Sequence, residues 1–192
     1  MAIVSLLETL VKGILEAEEK FFNNPQDFYC LETSVKHAAE TFSADFLSIV
    51  LSSMNRQIYD NTWRKNKYNA HRTDERTIIT TVGDVTFDCT YFRSKEDNSY
   101  HYLLEELINL DKHERLTEAA EVAVLTEALK TSYEEATRVL PSKQKISKST
   151  VYEKVHGIAE EIPDEVPEEK KVCEYLHIEA DEDHVAEQHG RW

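Results

Sequence analysis

Glycine and proline are scarce, four of each in 192 residues. So few chain breakers argue against a disordered or low-complexity chain and for a helix-rich globular one. The glycines that exist build no phosphate-cradling loop and no nucleophile elbow. Cysteine is equally thin: Cys30, Cys89 and Cys173 are odd in number, widely spaced and never paired as CxxC. A disulfide framework is therefore not expected, and a reducing compartment, by default the cytoplasm, is. No stretch is long and apolar enough to span a bilayer. The opening MAIVSLLETLVKGILEAEEK lacks a basic leader and is interrupted by Glu8 and Lys12, so it reads as an amphipathic helix rather than a secretory signal. Positive charge is also in deficit, with 22 Lys and Arg against 37 Asp and Glu and a net charge of -15. That balance excludes a protein that coats nucleic acid indiscriminately.

What is present is 41% hydrophobic residue, enough for one sizeable core, and a segregated charge pattern. Over residues 63–76, Arg64, Lys65, Lys67, Arg72 and Arg76 outnumber Asp74 and Glu75. Over residues 143–154, Lys143, Lys145, Lys148 and Lys154 face only Glu153, and acid is concentrated after Glu160. Such segregation allows a local DNA-binding face on an acidic chain, although a mixed solvated surface has the same composition.

Apolar residues at Ile3, Leu6, Leu7, Leu10, Val11, Ile14 and Leu15 keep the helical period and predict a first helix ending at Asn23-Asn24-Pro25. Phe28, Leu31, Val35, Ala38, Phe42, Phe46, Ile49 and Val50 predict a second, running on through Ile58. Its stripe is either the core of a helical hairpin or a pairing surface for a homodimer. From Thr77 the period changes to alternation, with Val85, Phe87, Cys89 and Tyr91 on one face and Thr86, Asp88 and Thr90 on the other. This predicts a β-hairpin turning at Gly83-Asp84 in a type II′ connection. Tyr91, Phe92, Tyr100 and Tyr102 are expected to tuck it against the helices that follow. Asp111 with Glu114, and Ser132 with Glu135, have capping-box spacing, which predicts helices over 114–130 and 133–140. A third helix, over 148–160, is expected with Ser147 as its N-cap. The acidic, proline-punctuated EEIPDEVPEEKK then reads as a linker before a terminal strand.

Two places carry chemistry. The helix trio ending in KISKSTVYEKVHGI has the grammar of a helix-turn-helix, with Ser147, Lys148, Ser149, Thr150 and Tyr152 facing a groove and Val151, Val155 and Ile158 facing inward. Short polar side chains at a helix start read base edges, while Lys143, Lys145 and Lys154 are placed to hold phosphates. A three-helix core element without DNA fits the same pattern. In the terminal stretch, Tyr175, His177 and Glu179 alternate with Leu176, Ile178 and Ala180 before Asp181, Glu182 and Asp183. A carboxylate at a strand end is rigidly aimed, as a divalent cation requires, but an acidic strand end also serves as a solvated loop. Cys173 with His177, and His184 with His189, form no second pair at structural zinc spacing.

In order, RTIITTVGDVTFDCTYFRSKEDNSYHYLLEELINLDKHERLTEAAEVAVLTEALKTSYEEATRVL, ISKSTVYEKVHGI and YLHIEADEDHVAEQHG resemble the ISLre group of bacterial insertion-sequence transposases. The likeness runs from about Arg76 to Gly190. It implies a DNA-recognition region followed by an RNase H-like domain with an Asp, Asp and Glu triad, using Mg2+ or Mn2+. By position Asp181 would be the first triad aspartate and metal ligand, with Asp183 as the fallback. The resemblance also implies further strands beyond Trp192, so the chain is expected to be an incomplete catalyst that holds no metal stably and whose terminal strand is exposed or borrows a partner. The expected fold is mainly α with a β-hairpin: a helical region over 1–75, the hairpin and adjoining helix over 76–110, a helix-turn-helix over 111–160, a linker over 161–172 and the start of a truncated RNase H-like domain over 173–192. The expected function is binding of double-stranded insertion-sequence DNA ends by a transposase fragment. A non-enzymatic, dimeric DNA-binding or regulatory protein, or an inert decayed fragment, are the competing expectations.

Overall fold

A computed structural model describes residues 2–161. The expected terminal strand, with Asp181 and Asp183, lies outside the described residues. Helix α1 (Ala2–Asn23) and helix α2 (Phe28–Asp60) form the expected hairpin. Asp27 caps α2 by accepting a bond from the Cys30 N–H at 3.0 Å. At Asn61 the backbone turns extended, and this residue both ends α2 and caps the short α3 (Thr62–Lys67). An antiparallel sheet follows, made of β1 (Tyr68–Thr80), β2 (Gly83–Ser94) and β3 (Tyr100–His101) in the order β1-β2-β3. Then come α4 (Leu103–Leu107), α5 (Glu118–Ala128), α6 (Tyr133–Ala136) and α7 (Lys148–Glu161).

Strand β1 begins at Tyr68 rather than Thr77, so the boundary placed at 75/76 falls inside a strand. Its early half is polar and exposed, and a bulge between Ala70 and Arg72 further masks the alternation. The turn also differs. Thr80 pairs with Gly83, which leaves Thr81 and Val82 as the loop. Neither has a positive φ; that conformation falls on Gly83, at φ 129°, the first residue of β2. Glycine is needed there as the expected turn supposed, but one step after the loop rather than inside it.

Helix α2 lies along the edge of β2 that β1 leaves unpaired. Ser48 donates to the Thr86 carbonyl, the Asp88 N–H donates to Ser52 Oγ at 3.4 Å, and the Thr90 N–H donates to Asn55 Oδ1 at 2.9 Å. Three polar residues at spacings of four and three on the helix thus meet every second residue of the strand. An exposed strand edge is a template for unwanted pairing, and this polar row covers it. The buried Asn55 completes its amide by donating to Thr90 Oγ1 at 3.1 Å.

Ile78 and Ile79 are adjacent in β1 and so point to opposite faces. Ile78 joins Val85, Phe87, Cys89 and Leu104 in a core closed by Leu51, Met54 and Ile58 of α2. Ile79 enters a second core with Leu116, Ala120, Val124, Ala136, Leu140 and Val151, which binds α5, α6 and α7 together. The stripe on α2 is covered only in part: Leu31, Ala38, Phe42, Ile49 and Val50 are half-buried, whereas Phe28, Val35 and Phe46 stay exposed. The aromatic cluster divides as well: Phe92 is fully buried, against Tyr59 of α2, whereas Tyr91 stacks on Tyr100 at 5.0 Å and Tyr100 stays 43% exposed.

The predicted helix over 114–130 starts later, at Glu118, with Thr117 as its N-cap. Residues 111–117 are held elsewhere. Arg76 donates to the carbonyls of Asp111 and Glu114, and the Ile79 N–H donates to the Arg115 carbonyl at 2.7 Å, so the chain runs alongside β1 instead of coiling. Ser132 does cap α6, accepting from the Glu135 N–H at 3.2 Å, but α6 ends at Ala136 rather than Leu140. Pro141 disfavours helical backbone in the residue before it.

Candidate nucleic-acid interface

The N-terminus of α7 is built as the cap rule anticipates: the Thr150 N–H donates to Ser147 Oγ at 3.0 Å. Lys148, Ser149 and Tyr152 are exposed and Thr150 is half-buried beside them. Val151 is buried at the core and Val155 packs against it. Ile158, expected to face inward, is 44% exposed. Lys143 and Lys145 are exposed on the preceding loop, and residues 142–152 contain no acidic side chain. That loop is anchored from the sheet. Ser142 donates its hydroxyl to Asp84, and the Lys143 N–H donates to Asp84 Oδ2 at 2.9 Å. Gln144 accepts from Arg115. The connection from α6 to α7 covers residues 137–147, far more than the few residues of a compact helix-turn-helix, so the three helices keep its order but not its tight turn.

Lys154 does not join this surface. Its ammonium reaches Glu121 Oε2 at 2.7 Å and Glu114 Oε2 at 2.9 Å, locking α7 to α5 and to the strap before it. Burial opposes the charge on Lys154, but the hydrogen bonds to Glu121 and Glu114 outweigh it and raise its pKa. Burial likewise opposes the Glu114 carboxylate, and the bond from Lys154 with those from the Leu116 and Arg115 N–H groups carries its pKa below the usual value. The expected phosphate contact is therefore a positioning pair within the fold. Tyr133 and His156 were not read as part of the site. Tyr152 packs edge-on to Tyr133 at 6.2 Å and lies 4.0 Å from the His156 ring, so three rings line the outer face of α7. The i+4 spacing of Tyr152 and His156 was the signal available for this pair.

The basic run over residues 63–76 is largely consumed. Arg64 is buried, donating to the Tyr59 and Tyr68 carbonyls between the rings of Tyr59 and Phe92. Arg76 pairs with the buried Glu105, and Arg72 pairs with Asp74 at 2.8 Å. Lys65 and Lys67 stay exposed. Around Arg76 a cleft of about 410 Å3 collects Asp74, Cys89, Tyr102, Glu105, Lys112 and His113. Burial first, and the nearby Glu105 second, push the Cys89 thiol up to about 12, so it stays protonated and is a poor nucleophile. Among the described residues, no three His, Cys, Asp or Glu side chains converge as metal ligands would. No described helix is long and apolar enough to cross a membrane.

The pattern of an uncharacterised protein family, UPF0236, matches residues 22–192. A UPF0236 protein of Caldanaerobacter subterraneus subsp. tengcongensis is 31% identical over 181 residues, covering 93% of this chain and 38% of its own length. Two others from the same organism are 29% identical over 179 residues, again covering 93% of this chain and 38% of their own lengths. The chain thus spans well under half the length of these curated relatives. On the extent of the family match, this chain belongs to the uncharacterised protein family UPF0236.

Proposed function

We propose that this chain is the DNA-end-binding, N-terminal part of a DDE-type transposase, and that α7 presents its N-terminal turn to double-stranded DNA. One observation carries the reading: the run over residues 142–152 contains no acidic residue, exposes Lys143, Lys145, Lys148, Ser149 and Tyr152, and includes the capped start of a helix that Asp84 and Lys154 tie to the rest of the fold. Free N–H groups and the positive end of the helix dipole favour a phosphate there, and three lysines add counter-charge. Short Ser and Thr side chains suit base edges. Transposition by metal-dependent strand cleavage and transfer is the parent activity in this reading. Asp181, or Asp183, supplies one carboxylate for Mg2+ or Mn2+. The residues described here do not form such a metal site, so no chemical step is assigned to them.

Gel-shift titration of element-end duplexes at several salt concentrations tests the proposal. Binding is expected to weaken steeply with salt, and Lys148→Glu to weaken it by roughly tenfold or more at low salt. Equal binding by wild type and Lys148→Glu would sink the assignment of α7. In the same preparations, Mg2+ or Mn2+ is expected to give no nicking. Nicking that disappears in Asp181→Asn would show that this chain is a complete catalyst.

A further inference from the structure

Helix α1 is apolar on two sides. Its inner side packs on α2 through Leu6 and Ala17, both buried, and through Gly13, where an added Cβ would lie 3.4 Å from that of Ala38. The opposite side carries Val4, Leu7, Val11 and Leu15 at spacings of three and four, exposed by 59%, 45%, 53% and 55%, with Ile3 and Ile14 beside them. Phe22, 70% exposed, extends the same stripe at the end of the helix. A globular helix hides one stripe and wets the other, whereas a helix apolar on both sides belongs inside a bundle. Contiguous apolar surface of this kind marks an interaction site.

We infer that the outer stripe of α1 is a self-association surface, on which α1 of a second copy of this chain packs antiparallel across a two-fold axis. Charge selects the orientation. The first turns, from Ala2 through Leu7, carry no charge and Glu8 follows them, whereas three carboxylates, Glu16, Glu18 and Glu19, crowd the other end with Lys20 as the one base beside them. A parallel pair sets these carboxylates against each other. An antiparallel pair sets them beside the partner's helix N-terminus, where the dipole is positive. Lys12, bridged to Glu16 at 3.8 Å, lies near mid-helix and so close to the axis. Area is sufficient: seven large side chains about half exposed, counted on both copies, bury on the order of 1,000 Å2, the lower bound of specific dimers. The sequence left the α2 stripe open between a hairpin core and a pairing surface; this proposal places the pairing on the neighbouring helix α1.

Sedimentation equilibrium of the full chain at micromolar concentration is expected to give twice the chain mass. Val11→Asp, at an exposed position, is expected to weaken association on the order of tenfold or more while leaving the far-ultraviolet circular dichroism unchanged. In a background carrying Cys30→Ser and Cys173→Ser, Val11→Cys is expected to cross-link with itself, since it lies near the axis, and Val4→Cys is not. Self-cross-linking at both positions would mean parallel pairing. A monomeric wild type overturns the proposal, whether α1 then stays free or partitions onto anionic lipid vesicles. A dimer that survives Val11→Asp with undiminished affinity overturns it too.

Discussion

The fate of each polar side chain in this protein is set by what it meets. Asn55 is the clearest case, because both halves of its amide are used on Thr90, one on the backbone and one on the hydroxyl. Asn55→Ala strands a buried N–H and is expected to cost about 1–3 kcal/mol in chemical denaturation. A loss near zero would show that water replaces the amide. From sequence alone Asn55 was one more polar residue in a helix. Arg64, Arg76 and Lys154 have the same history. All three counted as basic surface, and all three turned out to be tied to carbonyls or carboxylates inside the fold. A count of charges along the chain records their sign but not their partners, and the partners lie on other elements.

Among the elements, caps were legible wherever they are local. The caps at Ser132 and Ser147 follow from the sequence because an N-cap needs only its own next three residues, and Asp27 caps α2 by the same local rule. The box read at Asp111 and Glu114 failed because Arg76 and Ile79, from a distant strand, claim that backbone. Glu114 instead helps to seat α7, and this has a pH signature. Its folded pKa lies below the ordinary 4.5, so its contribution is fully present above about pH 4.5 and is lost as pH falls through the lowered value. Protection of α7 amides against hydrogen exchange, corrected for the intrinsic pH dependence of exchange, is expected to fall as acid below the ordinary 4.5 protonates Glu114. Glu114→Gln should already exchange fast at pH 6 and change less with acid. Parallel acid profiles for the two proteins would contradict this role. Lys154 has the opposite sign: its raised pKa keeps its contribution intact below about 10.5 and removes it only in stronger alkali.

At the scale of the whole molecule, the described residues form two cores sharing one strand, with Ile78 serving the sheet and α2 and Ile79 serving α5 to α7. Truncation at either site leaves a cavity and is expected to cost about 2–5 kcal/mol. The location of the damage should differ. Ile79→Ala is expected to speed hydrogen exchange mainly in α5 and α7, and Ile78→Ala mainly in α2 and β2. Indistinguishable exchange maps would mean that the two cores open as one unit. If α7 is the DNA-facing helix, its attachment to the sheet through Ile79, Asp84 and the Arg115 carbonyl sets the stiffness of that face.

The sequence by itself determined what depends on near neighbours: the helical period of α1 and α2, the alternation of β2, the caps of α6 and α7, and the acid-free run before and within α7. Each is a repeat or a spacing within a few residues, and local backbone geometry converts it directly into structure. Only the tertiary structure decided which lysines and arginines face water, where β1 begins, why the strap over residues 111–117 is not helical, and which apolar stripe of α1 remains uncovered. Those outcomes depend on groups far apart in the chain competing for the same carbonyl, carboxylate or surface. The winner of that competition is fixed by packing, which no spacing along the chain records.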